Sequence, residues 1–182
     1  MGRVTVEFDA EEVRRMSPAE RATYAEEVGR TLMRFGAIPP NWGAYGEASL
    51  PGHERALFHY VGNSASPVGA DFAPVPRGDN FSFAIVLAGP GKGAPLHAHT
   101  TEEVFLALSG RWGIYWGEPD NRQEVLLDRW DAISVPAPVM RGFRNAGTED
   151  AYLLALLGGG TQPPPIYHQS VLERMLPPPH QP

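Results

Sequence analysis

The sequence predicts an all-β fold, an antiparallel jelly-roll barrel with an N-terminal helical arm and a short C-terminal helix. Three observations predict it. From Asn80 onward, short β-type runs follow one another at 80–88, 95–99, 103–109, 111–116, 124–127, 131–135, 141–145 and 151–157, most of them separated by Gly, Pro, Asn or Asp. No helical period interrupts that region, so the crossovers of a parallel α/β sheet have no place in it and antiparallel closure is the natural solution. The chain has 182 residues, enough for one barrel with a core of its own plus segments outside it.

Taken in order, VTVEF at 4–8 is strand-like, and Asp9 with Glu12 has the spacing of a capping box that opens a brief helix. Ser17, Pro18 and Glu20 supply N-cap, N1 and N3 of a second helix. Ala25, Val28, Leu32 and Phe35 recur at helical spacing, which predicts a helix over 18–35 ended by Gly36. Residues 38–53 are rich in Pro and Gly and read as an extended connection. Arg55 to Val61 reads as a strand, and Gly62 to Asp79 as a loop before the barrel proper. After Gly158-Gly159-Gly160 and Pro163 to Pro165, the run from Ile166 through Leu176 predicts one short helix, and the tail PPPHQP is expected to be disordered. The expected organisation is an arm at 1–54, a barrel at 55–160 and a C-terminal helix and tail at 161–182.

Composition narrows the function. Cysteine is absent, so disulfides and thiolate ligands are excluded and any transition metal must be held by His and carboxylate. The net charge of -6, with no basic cluster, argues against nucleic acid or an anionic membrane as the main partner and leaves a small molecule. No apolar run approaches the ~18 residues of a membrane span, and the first residues lack the basic-then-apolar order of a signal peptide, so a cytoplasmic protein is expected.

The chemistry concentrates in GKGAPLHAHTTEEVFLALSG, Gly91 to Gly110. In a strand, residues i and i+2 face the same way, so His97 and His99 point together with Cα atoms roughly 6.6 Å apart. Glu103 would lie about 20 Å from His97 along a continuing strand, so one metal can use all three only if the chain reverses at Thr100-Thr101. Two imidazoles and one carboxylate make a facial triad suited to divalent iron, and also to manganese, nickel or zinc, with positions left for water or substrate. Glu102 is the weaker ligand candidate because adjacent strand residues face opposite sides. His53 and His59 share parity, so either could supply a replacement nitrogen; the ordinary reading of each is a satisfied structural histidine.

This segment resembles the first motif of the cupin superfamily, G-x5-H-x-H-x3-E-x6-G, on Gly91, His97, His99, Glu103 and Gly110, without deviation. The second motif, G-x5-P-x-G-x2-H-x3-N, falls on Trp130, Pro136, Pro138, Arg141 and Asn145 and keeps only Pro136 and Asn145. The resemblance implies a cupin barrel, a divalent metal at His97, His99 and Glu103, and a homodimer in which VTVEF and the helix at 18–35 are candidate exchanged elements. An arm that packs on its own barrel fits the pattern equally well. The resemblance also implies that Arg141 stands where the family has its remaining histidine ligand. A dication and a guanidinium about 5 Å apart repel by roughly 6 to 7 kcal/mol at an effective dielectric near 20. Arg141 can therefore swing away, point over an occupied site to attract an anionic substrate, or replace the metal by pairing with Glu103.

Around these motifs, Phe105 shares the face of Glu103 and Phe143 that of Arg141, which makes them candidates for an apolar pocket wall. Trp112 is a candidate to extend that wall, though barrel filling is its ordinary role. The leading expectation is a metal-dependent cupin enzyme acting on a small organic acid or oxygenated aromatic compound, foremost a dioxygenase, with Arg141 as catalytic and substrate-binding residue. The alternatives are a non-enzymatic small-molecule-binding cupin and a metal-free isomerase or cyclase using His97 or His99 as base and Arg141 on an oxyanion.

Overall fold

A computed structural model describes residues 9–175. The expected strand at 4–8 and the tail from 177 lie outside the described residues. The chain divides into two compact units, one ending at Arg34 and the other beginning at Phe35.

In the first unit, α1 (Ala10–Arg15) opens on the Asp9/Glu12 capping box and α2 (Pro18–Arg30) on Ser17 and Glu20, as the spacing predicts. The Arg21 guanidinium of α2 donates to the Val13, Arg14 and Met16 carbonyls at the end of α1, satisfying acceptors that a helix C-terminus leaves open. The helix expected over 18–35 stops at Arg30. Thr31 leaves the helix with its backbone N–H and its hydroxyl both on the Val28 carbonyl, the local competition that makes Thr a poor helix-interior residue. Phe35 belongs to the second unit, where its ring packs 4.7 Å from Phe58 and 5.6 Å from Tyr152. It is sheet packing, not part of a helical stripe.

The second unit is a sandwich of two antiparallel five-stranded sheets. One has the order β1 (Ala56–Val61), β2 (Phe81–Ala88), β9 (Ala151–Gly158), β4 (Glu103–Ala107), β7 (Ala132–Val135). The other runs β10 (Ile166–Tyr167), β3 (Gly93–Ala98), β8 (Arg141–Asn145), β5 (Trp112–Trp116), β6 (Gln123–Leu127). Each strand predicted from Asn80 onward is present with its ends shifted by two residues or fewer, and only a 3-10 turn at Pro119–Asn121 interrupts the succession. The alternation that marks β2 is physical: Ser82, Ala84, Val86 and Ala88 face inward and are buried while the residues between them are not. Phe105, Trp112, Ile114 and Leu153, all fully enclosed, fill the space between the sheets.

Residues 35–54, expected as part of an arm, pack in the same compact unit as the barrel, and Asn41 makes an antiparallel bridge to Leu57 on β1. At the other end, the helix expected from Ile166 begins only at Gln169 (α4, Gln169–Met175). Ile166 and Tyr167 instead pair with Ala98 and His97, covering the otherwise open edge of β3. A short helix, α3 (Gly69–Phe72), lies in the loop between β1 and β2.

Turn geometry explains two motif positions. Gly110 has φ +65, and a Cβ there would stand 2.6 Å from the Ala151 Cβ, so only glycine fits. Trp130, where the family motif has glycine, keeps the left-handed backbone with φ 77 and sits on the surface with Arg129 over its ring. Among the described residues no helix is long and apolar enough to cross a membrane.

Candidate metal centre

The site forms where β3 hands over to β4, that is, where the chain passes from one sheet to the other. The reversal expected at Thr100-Thr101 occurs there, between the end of β3 at Ala98 and the start of β4 at Glu103. The pairing of β3 with β8 slips by one residue between Ala94 and His97, a bulge that contains Pro95, which has no N–H to give the ladder. The slip matters for the site. Ala94 and His97 are an odd number of residues apart, yet both line the same cavity, which a regular strand would forbid. Beyond the bulge, His97 pairs with Arg141 and Tyr167 on the neighbouring strands.

His97, His99 and Glu103 are all buried, and each offers a ligand atom within 4.8 Å of the others. Adjacent donors around an ion with bonds of about 2.1 Å are separated by about 3 Å, so small side-chain rotations would bring the three onto one centre. The His97 Nδ1 lies 2.8 Å from the Pro95 carbonyl and donates to it, which leaves Nε2 with its lone pair. Burial first, then the charges around them, hold both imidazoles neutral: His97 far below its ordinary value and His99 at about 3, with Arg141 adding to the depression of each. Burial raises Glu103, opposed by Arg141. Neutral imidazoles beside a carboxylate are the donor set a divalent ion requires.

Arg141 is fully enclosed. Its Nε donates to Glu103 Oε2 at 2.9 Å and its Nη1 to the Val139 carbonyl at 3.0 Å, while Nη2 has no partner. This ion pair links β8 of one sheet to β4 of the other. Of the expectations for Arg141, the arrangement matches pairing with Glu103, and only one oxygen of the carboxylate is engaged by it.

A cavity of about 30 Å³ adjoins the triad. Phe143 lines it, whereas Phe105 and Trp112 do not. They stand behind Phe143 in the core, with ring centroids 5.4 and 5.9 Å from it. His53 and His59 are elsewhere as well. The His53 ring contacts the Gly93 carbonyl and Arg174, and His59 is enclosed near Asn41 and Phe72. Glu102 is reached by the Ser134 hydroxyl on the exposed side of β4.

Sequence reasoning missed other residues that line the cavity. Tyr45, Glu47 and Arg55 line it, and Arg55 is paired with Glu47, which also accepts from the Tyr167 hydroxyl. The only local signal was a Glu and an Arg close to a predicted strand, which is indistinguishable from a surface pair.

Residues 84–157 match the family model described as a cupin domain. The barrel has the cupin fold. Solved structures agree on this fold. The polyketide cyclase RemF from Streptomyces resistomycificus superposes with a TM-score of 0.56 at 18% identity, covering 80% of this chain and 93% of that one. An oxalate decarboxylase from Lactobacillus farciminis, in its formate complex, gives 0.54 at 16% identity over 78% of this chain and 37% of its own. An oxalate oxidase gives 0.51 at 20% identity over 66% of this chain, which spans 57% of the oxidase. At these identities the likeness is one of cupin fold. No curated protein matches the chain by sequence.

Proposed function

We propose that the protein is a metal-dependent cupin enzyme acting on a small organic acid, with His97, His99 and Glu103 as metal ligands and molecular oxygen as the first co-substrate to test, which would make it a dioxygenase. The observation that carries this reading is the convergence of two neutral imidazoles and a carboxylate at an enclosed cavity. A bound divalent ion would supply Lewis acidity toward substrate oxygens and, if iron or manganese, redox chemistry. The chain's own residues would do the rest: the Pro95 carbonyl orients His97, Arg141 steadies Glu103, and Phe143 with Leu57 and Val86 keeps water out. The cavity size favours an acid over an aromatic compound, since a benzene ring occupies a cavity of about 150 Å³, five times the space here. Two of the structural neighbours are named for oxalate, which supports the same substrate class.

The test is elemental analysis of protein purified without chelator or nickel resin, beside His97→Ala and Glu103→Ala. Stoichiometric metal in the wild type and none in either variant supports the triad; metal-free wild type after anaerobic reconstitution with iron, manganese or zinc overturns it. Oxygen uptake driven by small organic acids then separates an enzyme from a binding protein. The Arg141–Glu103 pair favours a second reading, a metal-free isomerase or cyclase in which neutral His97 or His99 takes a proton. Turnover by chelated protein would select it. A homodimer belongs to the proposal too, because no side chain of α1 or α2 is buried; light scattering should give twice the chain mass.

A further inference from the structure

We infer that Arg55, not Arg141, holds the carboxylate of the small acid, and that Glu47 and Tyr167 position Arg55 for that task. This rests on reading the cavity as the substrate site, but not on the metal.

Arg141 is set apart by position. Its Nε and Nη1 serve Glu103 and the Val139 carbonyl, and although its Nη2 is buried without a partner, the residue does not line the cavity. Arg55 does line it, facing the same space as His97, His99 and Glu103. Its Nη2 donates to Glu47 and its Nη1 to the carbonyls of His53 and Gly93 at 3.0 and 3.4 Å, while Nε, on a side chain only 3% exposed, has no partner. Native structures leave few buried donors without an acceptor, and those they leave call for a reason such as a ligand. A carboxylate oxygen is the acceptor that suits a guanidinium N–H best.

The surroundings fit that role. The guanidinium carbon lies 5.1 Å from the Tyr45 ring centroid and 5.9 Å from that of Phe143, so aromatic faces fix its plane and wall the space around it. Glu47 is shared between Arg55 and the Tyr167 hydroxyl, which draws on the negative charge that would otherwise repel an incoming anion. The other charges at the cavity are spoken for: the imidazoles are neutral and Glu103 is paired with Arg141. Arg55 is thus the lining group with both positive charge and a free donor. Glu47, Arg55 and Tyr167 all lie outside the 84–157 segment that matches the cupin family, so this half of the cavity belongs to the flanking segments of this chain. A cavity of about 30 Å³ holds two or three water-sized groups, the scale of formate, so acetate and oxalate would enter only as the lining side chains give way.

The experiment is a titration of the purified chain with sodium acetate and sodium oxalate at constant ionic strength, read as a saturable rise in Tm. Metal content is measured in the same samples, and acetate is also titrated into chelated protein. Arg55→Gln alone would strand a buried Glu47, so the variant is Glu47→Gln/Arg55→Gln, with Arg55→Lys as a second that keeps the charge and loses the fork. Saturable binding to wild type, weakened about 10- to 100-fold in the double variant and clearly in Arg55→Lys with metal content unchanged, is the expected result. Equal binding by the wild type and both variants, or no binding by the wild type, overturns the inference. Arg55-dependent acetate binding in a protein that takes up no metal sinks the metalloenzyme reading and leaves the inference standing.

Discussion

Replacing Arg141 by histidine tests whether the arginine is what limits metal affinity. Arg141 Nε is 2.9 Å from Glu103 Oε2, and an ion bound to that carboxylate would sit about 2.1 Å from oxygen. The guanidinium and the ion would then be about 5 Å apart. At an effective dielectric near 20, a charge of +2 against +1 at that distance is repulsive by about 6 to 7 kcal/mol, an upper figure because Glu103 lies between them. Arg141→His removes the repulsion and returns a nitrogen to the register position beside His97. Even a fifth of the repulsion is worth tenfold in affinity, so the variant should bind zinc or manganese at least tenfold more tightly, measured by competition with a chromophoric chelator. The metal-free variant should also lose stability, by about 3 kcal/mol, since Glu103 is then buried without its cation; metal should restore it. A variant that folds, yet binds metal no better than wild type, would refute both the charge argument and the placement of the ion on Glu103.

Three other outcomes are expected. His59 is enclosed, and its pKa is lowered by burial from 6.5 to about 4. Its neutral form therefore contributes stability that is complete above pH 6.5 and is lost as pH falls toward 4, about 3 kcal/mol in all. Urea unfolding of chelated protein at pH 7 and pH 4.5 should show a smaller loss in His59→Gln, and an unchanged loss would count against this account. Gly93→Ala would set a Cβ 2.0 Å from the Phe143 carbonyl, inside the β3–β8 ladder that carries His97; a loss of about 3 kcal/mol together with weaker metal retention is expected by denaturation and elemental analysis. Asn145 donates to the Ala88 and Glu149 carbonyls and accepts from the Gly147 N–H, so Asn145→Ala should cost about 2 to 4 kcal/mol in urea unfolding without changing metal stoichiometry.

What the sequence made legible follows the range of the physics involved. Strands β2 to β9 could be read because alternation and turn residues are local, and Gly91, Gly110 and the His97/His99 pair sit at fixed offsets along the one continuous passage from β3 to β4. The end of α2 was misjudged because Val28, Leu32 and Phe35 keep the helical period while Thr31 turns its hydroxyl back onto the chain; periodicity does not register that competition. Ile166 and Tyr167 were assigned to a helix because nothing near them announces the free edge of β3, which exists only once the sheet is assembled. Phe105 and Trp112 have the parity of pocket residues but stand a layer deeper, since parity tells which face a side chain takes and not how far another ring reaches in front of it.

The same limit explains why the Glu47–Arg55 pair escaped notice. Glu47 and Arg55 are eight residues apart and Tyr167 is 120 residues from Glu47, so no motif window contains them. Their burial as a connected group has an electrostatic consequence that complements the triad. Each of the two lining carboxylates is paired with an arginine, Glu103 with Arg141 behind it and Glu47 with Arg55, so the site is close to neutral before anything binds. A divalent ion on the triad would leave it at about +2. A singly or doubly charged acid lying between the ion and Arg55 would cancel most of that charge, whereas a neutral ligand would leave it uncompensated in a low-dielectric space. Metal and acid should therefore bind cooperatively, each tightening the other by the same factor. Acetate titrations at zero and saturating metal measure that factor directly, and a factor of one would show that the triad and Arg55 do not sense each other.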